Sequence, residues 1–235
     1  MNLILLFAED FVAEHQVRLR GRRRDHMLGV HRIEVGAYVT VGLVDGKIGR
    51  AQITAADAGA VDMTVELTDS APAPLAITLV LALPRPKMLK RVLQTVATMG
   101  VKKLILINSY RVEKSYWQTP ILQEQSLREH LTLGLEQGKD TVMPEVLLRK
   151  RFKPFVQDEL PAIAAGSRAL VAHPGDYPPC PSANADNITL AIGPEGGFIP
   201  YEVEMLEAGG FAPVSLGPRI LRVETAIPVL LSKLF

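Results

Sequence analysis

The sequence predicts an α/β protein: a mainly parallel sheet with helices on both faces, preceded by a small β-barrel. Three observations carry that prediction. Residues 1 to about 70 hold short β-branched runs divided by Gly/Asp turns, the pattern of a small barrel. From residue 75 apolar runs alternate with helical periodicity, as parallel strands joined by crossover helices require. Two glycine-proline blocks, 192–198 (IGPEGGF) and 216–226 (LGPRILRVETA), each follow an apolar run and precede a helical pattern. In open sheets that is where ligands bind.

The elements follow in order. Strands are expected at residues 3–7, 38–44, 48–55 and 61–67, with Asp45-Gly46 as a hairpin turn. Residues 70–74 (SAPAP) read as a linker, which sets domains at 1–70 and 75–235. Residues 76–83 are continuously apolar, as a strand buried on both faces should be. Met88, Leu89, Val92, Leu93, Val96 and Met99 fall at helical spacing, and Gly100 can end that helix. Residues 103–107 read as a strand and 120–137 as a long helix with Gly138 after it. Further strands are expected at 169–172, 188–192 and 214–216. Pro200 suits a helix start, Gly209-Gly210 its end, and residues 227–235 an apolar terminal helix, with Pro228 in its first turn.

Bulk composition excludes some classes. A net charge of +1 gives no overall polybasic character. The cations are instead clustered, at Arg18, Arg20, Arg22, Arg23 and Arg24 and again at Arg149, Lys150, Arg151 and Lys153. A single cysteine, Cys180, rules out an intrachain disulfide and makes a cysteine-based zinc site implausible, so no metal is expected. The apolar start is short and meets Glu9-Asp10, and no apolar segment is long enough to span a bilayer. A cytoplasmic protein without membrane attachment is expected.

The two blocks carry the chemistry. Gly193, Gly196 and Gly197 let backbone approach a ligand closely, and Pro194 stiffens the turn. The block is neither of the usual phosphate-binding glycine patterns, and Glu195 disfavours an anion. A nucleoside or a sulfonium suits it better. In the second block Arg219 and Arg222 are costly to bury alone and are better explained as facing a polar substrate. A plain strand-to-helix turn remains the alternative for either block taken singly.

IGPEGGF followed by SLGPRILRVETA resembles the C-terminal signature of the SPOUT methyltransferases. Within them it is most similar to the bacterial enzymes that methylate uridine N3 in 16S ribosomal RNA. The resemblance is dense only over the last fifty or so residues. It implies an N-terminal PUA-like barrel that binds RNA, a trefoil-knotted α/β domain, a homodimer, and S-adenosylmethionine as cofactor. It places the cofactor against His173, Pro174, Gly193, Pro194, Glu195, Gly196, Gly197, Leu216, Gly217, Pro218, Ile220, Leu221 and Thr225. A strand-end capping role is the competing account of His173.

The resemblance extends thinly elsewhere. In 26–36, His26, Leu28, Val30, Arg32, Val35 and Gly36 fit the family's barrel pattern, whereas Met27 and Gly29 depart from it. RNA contacts are expected from Arg18, Arg20, Arg22, Arg23, Arg24, His26, Arg32 and Arg219; a solvated loop is the alternative for the arginine run. Asp140 stands where the family has arginine, and there it would repel phosphate. Arg85-Pro86-Lys87 replaces another family segment, Arg111 matches a family arginine, and Val223 replaces a threonine. For chemistry, Arg222 is expected to stabilise charge on the uracil ring. Glu224 or Glu195 would take the proton or hold an arginine; a carboxylate favoured by a helix N-terminus is the alternative for Glu224. Competing functions are a SPOUT enzyme with another RNA target or acceptor atom, a non-catalytic RNA-binding protein of ribosome assembly, and a metabolite-binding α/β protein.

Overall fold

The computed structural model describes residues 2–29, 34–182 and 187–235. Val30 and Arg32 lie outside the described residues. The chain forms two compact units. One joins Met1–Ala73 to Thr132–Met143; the other joins Pro74–Leu131 to Pro144–Phe235.

The first unit is built on β1 (Ile4–Leu6), β2 (Phe11–Ala13), β3 (Gln16–Leu19), α1 (Gly21–Gly29), β4 (Tyr38–Leu43), β5 (Ile48–Ala56) and β6 (Val61–Asp69). Its sheet runs β1-β4-β5-β6-β3-β2, antiparallel except where β1 pairs with β4. The two end strands, β1 and β2, are separated in sequence only by a 3-10 turn, Ala8–Asp10. Five residue steps reach at most about 17 Å, whereas six flat strands span about 24 Å. The sheet therefore curls, in keeping with a barrel. Alternation supplies the core: Val61, Met63 and Val65 point inward from β6 and join Val17, Leu19, Val41 and Ile53. Asp45, at φ 55°, makes the expected hairpin turn between β4 and β5.

The sequence reading passed over β2, β3 and α1. The arginine run is not a solvated loop: residues 21–29 form α1, and its Met27 is buried in the core.

The second unit holds β7 (Ile77–Ala82), α2 (Pro86–Thr98), β8 (Lys103–Ile107), the first half of α3 (Glu124–Gly138), β9 (Glu145–Arg149), α4 (Phe152–Pro154), α5 (Leu160–Ala164), β10 (Arg168–Ala172), β11 (Ile188–Ile192), α6 (Pro200–Ala208), β12 (Ala212–Val214) and α7 (Val223–Leu234). Its sheet, β12-β10-β11-β7-β8-β9, is parallel at every pairing. All six strands therefore end at the same edge. β7 and β11 are almost wholly buried, matching their unbroken apolar sequence. The chain does not fill the sheet in order: β11 inserts between β10 and β7, and β12 lies beyond β10.

Four local expectations need correction. Gly138 is the last residue of α3, and the left-handed position, φ 55°, falls on Lys139. Pro228 lies inside α7, five residues beyond its start at Val223, so it withholds an N–H from the carbonyl of Glu224. The strand expected at 214–216 is Ala212–Val214. Asp140 is buried and accepts a 2.9 Å hydrogen bond from the Val142 N–H, so it tightens a turn rather than facing phosphate.

Candidate functional site

Three loops leave the carboxyl ends of β10, β11 and β12, which are adjacent in the sheet. They converge on one cleft that opens to solvent. His173 and Pro174 border it from the first loop, and Gly193, Pro194, Glu195 and Gly197 from the second. Leu216, Gly217, Ile220 and Leu221 border it from the third. Val223, Ala226 and Leu230 close it from α7, at the spacing of one helix face.

The second loop is a turn in which the Gly197 N–H donates to the Pro194 carbonyl at 2.7 Å. Its glycines are needed for different reasons. A Cβ on Gly193 would lie 2.8 Å from the Phe198 nitrogen, so close backbone approach excludes a side chain. Gly197 has room but sits at φ 72°, a left-handed conformation. In the third loop Gly217 reaches φ 101°, and its N–H donates to Ser215 Oγ at 3.0 Å.

Side chains brace the second loop from outside. Glu195 Oε1 accepts from the backbone N–H of Arg85 at 2.9 Å, and Arg85 caps the start of α2. Glu195 thus holds main chain at the start of α2, and neither role suggested for it is seen in this contact. Arg111 donates from Nη1 to the Gly196 carbonyl. The buried carboxylate of Glu202 accepts from the N–H of Tyr110 at 2.7 Å and of Ile199 at 3.0 Å, tying the start of α6 to the segment after β8. These braces join residues far apart in sequence, and the sequence reading missed all three.

His173 meets Tyr177 edge-on with ring centroids 5.9 Å apart. Burial, and then the charge of Arg111, hold its pKa below the usual histidine value. The cleft therefore presents a neutral imidazole at neutral pH and apolar walls from Ala172, Ile192 and Val214. Arg219 brings a positive charge to the rim of this lining, and Arg111 lies near its histidine.

Not every expected residue borders the cleft. Gly196, Pro218 and Thr225 do not, nor do Arg222 and Glu224. Arg222 is exposed and caps α7, its carbonyl accepting from the N–H groups of Thr225 and Ala226 at 2.9 and 2.8 Å. Glu224 lies in the first turn of α7. Arg219, expected to contact RNA, does border the cleft. The apolar walls escaped the sequence reading, although the last residue of each strand was the available signal.

The arginine run of the first unit is largely paired. Arg23 donates to both oxygens of Asp10 at 2.5 and 2.6 Å and to the Leu5 carbonyl at 2.8 Å, and it lies over the Phe7 ring. Arg18 forks onto Asp62 at 2.7 and 3.0 Å. Arg22 reaches the buried Glu136 at 3.2 Å, and Arg24 meets Asp25 and the Asp57 carbonyl. His26 is half-buried and Arg20 is exposed.

Residues 71–235 match the model of the RNA methyltransferase domain. The chain belongs to that family. Over 234 residues this methyltransferase is 29% identical to the ribosomal RNA small subunit methyltransferase E of Treponema pallidum, covering 96% of this chain and 87% of that protein. Similarity to the protein of that name from Mesomycoplasma hyopneumoniae reaches 50%, but over only 50 residues, 21% of this chain and 22% of the other. The crystal structure of a ribosomal RNA small subunit methyltransferase E from Neisseria gonorrhoeae bound to S-adenosyl methionine has the same fold. Its TM-score is 0.75 at 21% identity, covering 98% of this chain and 95% of that one. Among the described residues no helix of the methyltransferase is long and apolar enough to cross a membrane.

Proposed function

We propose that this methyltransferase transfers the methyl group of S-adenosylmethionine to uracil N3 of 16S ribosomal RNA in the small subunit. The observation that carries this reading is the convergence of three strand-end loops on one backbone-built cleft. The relatives that share its layout are named for small-subunit ribosomal RNA, and one of them was crystallised with this cofactor. The insertion of β11 between β10 and β7 supports a trefoil-knotted SPOUT arrangement. The curled first sheet supports a PUA-like barrel. The partly exposed Val229 and Phe235 on the last helix support a homodimer.

The residues present fit the cofactor. Gly193 lets the loop backbone close tightly, Gly197 leaves the space a side chain would fill, and neutral His173 adds no positive charge. His173, Pro174, Gly193, Pro194, Gly197, Leu216, Gly217, Ile220 and Leu221 would hold it. Bound there, S-adenosylmethionine supplies a methyl group on a sulfonium sulfur, which departs as a thioether with the bonding pair. Uracil N3 gains the methyl and loses its proton. The protein's share is to hold the base in line and to take that proton.

Arg219, at the cleft, and Arg222, just before α7, would offset negative charge on the uracil oxygens. Glu224 is the carboxylate assigned to the proton. Replacing Arg222 with Ala should lower methyl transfer about 100-fold while leaving cofactor affinity within about threefold. Calorimetry beside a labelled-cofactor assay checks this, and wild-type activity in the variant would remove Arg222 from the reaction. The burial of Asp140 takes away a departure that argued for a different RNA target.

A further inference from the structure

The second unit carries a surface for which neither the family match nor the relatives' names assign a role: the rim at the carboxyl ends of β8 and β9. Because β8 is the parallel neighbour of β7, β9 that of β8, and β7 lies beside β11, the segments that follow β8 and β9 open on the same edge as the cofactor cleft. The segment after β8 presents Tyr110, which is 79% exposed. An exposed tyrosine is ordinary by itself, but this one is held firmly. The buried Glu202 fixes its backbone N–H at 2.7 Å, and the next residue, Arg111, hooks the carbonyl of Gly196 in the cofactor loop. A large ring is thus presented rigidly to solvent beside the reaction site.

A second aromatic, Trp117, stands on the same segment. Its Nε1 donates to Asn108 Oδ1 at 2.9 Å, which sets the plane of the indole, and Lys150 lies 6.0 Å from the ring centre. Lys114, Lys150 and Arg151 are exposed, and among the described residues none of them lies within ion-pair distance of a carboxylate. The contrast with the first unit is direct. There Arg18, Arg22, Arg23 and Arg24 already face carboxylates of their own unit. They could reach phosphate only by exchanging a partner, which cancels much of the gain.

We infer that this rim receives the single-stranded RNA flanking the target nucleotide: Tyr110 and Trp117 stack its bases, while Lys114, Lys150 and Arg151 neutralise its phosphates. Aromatic faces interleaved with cations that have no carboxylate partner are what unpaired nucleotides require. A duplex offers no bases to stack, so single-stranded RNA is the occupant. The inference rests on the proposed methyl transfer to RNA and adds where the RNA lies.

The test uses the full chain, 16S ribosomal RNA, and titrations of RNA affinity against salt. Tyr110→Ala should weaken RNA binding roughly tenfold, with Tyr110→Phe near wild type. The triple variant Lys114→Ala, Lys150→Ala, Arg151→Ala should flatten the slope of log affinity against log salt by about 2. Cofactor affinity, read by calorimetry, should stay unchanged in all of them. Arg111 is kept intact because it holds the cofactor loop. Unchanged RNA affinity and slope in these variants, with the cofactor still bound, would overturn the rim assignment and leave methyl transfer standing. A larger loss from Arg20→Ala than from the triple variant would also overturn it, by moving the RNA to the first unit. Failure of the wild-type chain to bind cofactor or RNA would instead count against methyl transfer, and against the rim with it.

Discussion

At the level of single residues the cleft depends on two glycines that look equivalent in sequence and are not. Gly193 needs the absence of a side chain because the Phe198 nitrogen would lie 2.8 Å from a Cβ. Gly197 needs freedom of φ, with 3.6 Å to the nearest atom, in His173. A left-handed alanine costs about 1 kcal/mol, or roughly fivefold in affinity, and the loop can keep its shape. An alanine at 193 must move backbone that forms the cleft. Gly193→Ala should therefore weaken cofactor binding more than Gly197→Ala, by tenfold or so against about fivefold. Calorimetry on the two variants compares them, and the reverse order would contradict the packing argument.

His173 gives a pH dependence with a definite sign. Its folded-state pKa is depressed below 6.5 by burial and then by Arg111. The neutral form is thus the one the fold favours: its contribution to stability is present above the unfolded value and is lost as pH falls through the folded one. Protonation would also set a positive charge beside a sulfonium. Cofactor affinity should stay level from about pH 8 to about 6.5 and fall only below that. In His173→Gln the fall should disappear; its persistence would assign the effect to another group.

At the level of elements, α1 shows how a functional-looking cluster serves the fold. Arg23 and Asp10 form a nearly buried pair, with side chains 16% and 7% exposed. Removing one partner from such a pair strands a charge and costs about 3 kcal/mol. Arg23→Ala should lower the denaturation midpoint substantially, while Arg20→Ala, at an exposed position, should shift stability by less than about 0.5 kcal/mol. Equal midpoints for the two variants would mean that Arg23 does not brace the first sheet. The run could not be sorted in the sequence because its partners, Asp10, Asp62, Asp57 and Glu136, are scattered from 13 to 114 residues away.

The same reason explains which other elements were legible. Strands β7, β8 and β11 are continuous apolar runs and were readable to within a residue. The strand β2 is only three residues long, and β3 and β9 mix polar with apolar positions, so their strand character comes from ladder pairing rather than from composition. The loops of the cleft were legible because glycine and proline encode backbone shape locally. The braces Arg85–Glu195, Arg111–Gly196 and Tyr110–Glu202 were not, since they span 85 to 110 residues.

For the whole molecule, a parallel sheet places all strand ends on one edge, and the strand order β12-β10-β11-β7-β8-β9 decides what meets there. The backbone-built cleft falls under β12, β10 and β11. The aromatic and cationic rim falls under β8 and β9. The sequence showed both halves of that edge as separate clusters, the two glycine-proline blocks and the basic stretch at Arg149–Lys153, but only the topology sets them on one edge. The first unit contributes a curled sheet whose arginines are mostly committed to its own carboxylates. The proposed rim would add an RNA contact to the unit that holds the cleft. The most direct test of that account is methyl transfer from labelled S-adenosylmethionine by the full chain to small ribosomal subunits and to naked 16S RNA, with the product nucleoside identified by mass spectrometry. The account predicts label in N3-methyluridine; label in any other nucleoside, or none in RNA despite cofactor binding, would contradict it.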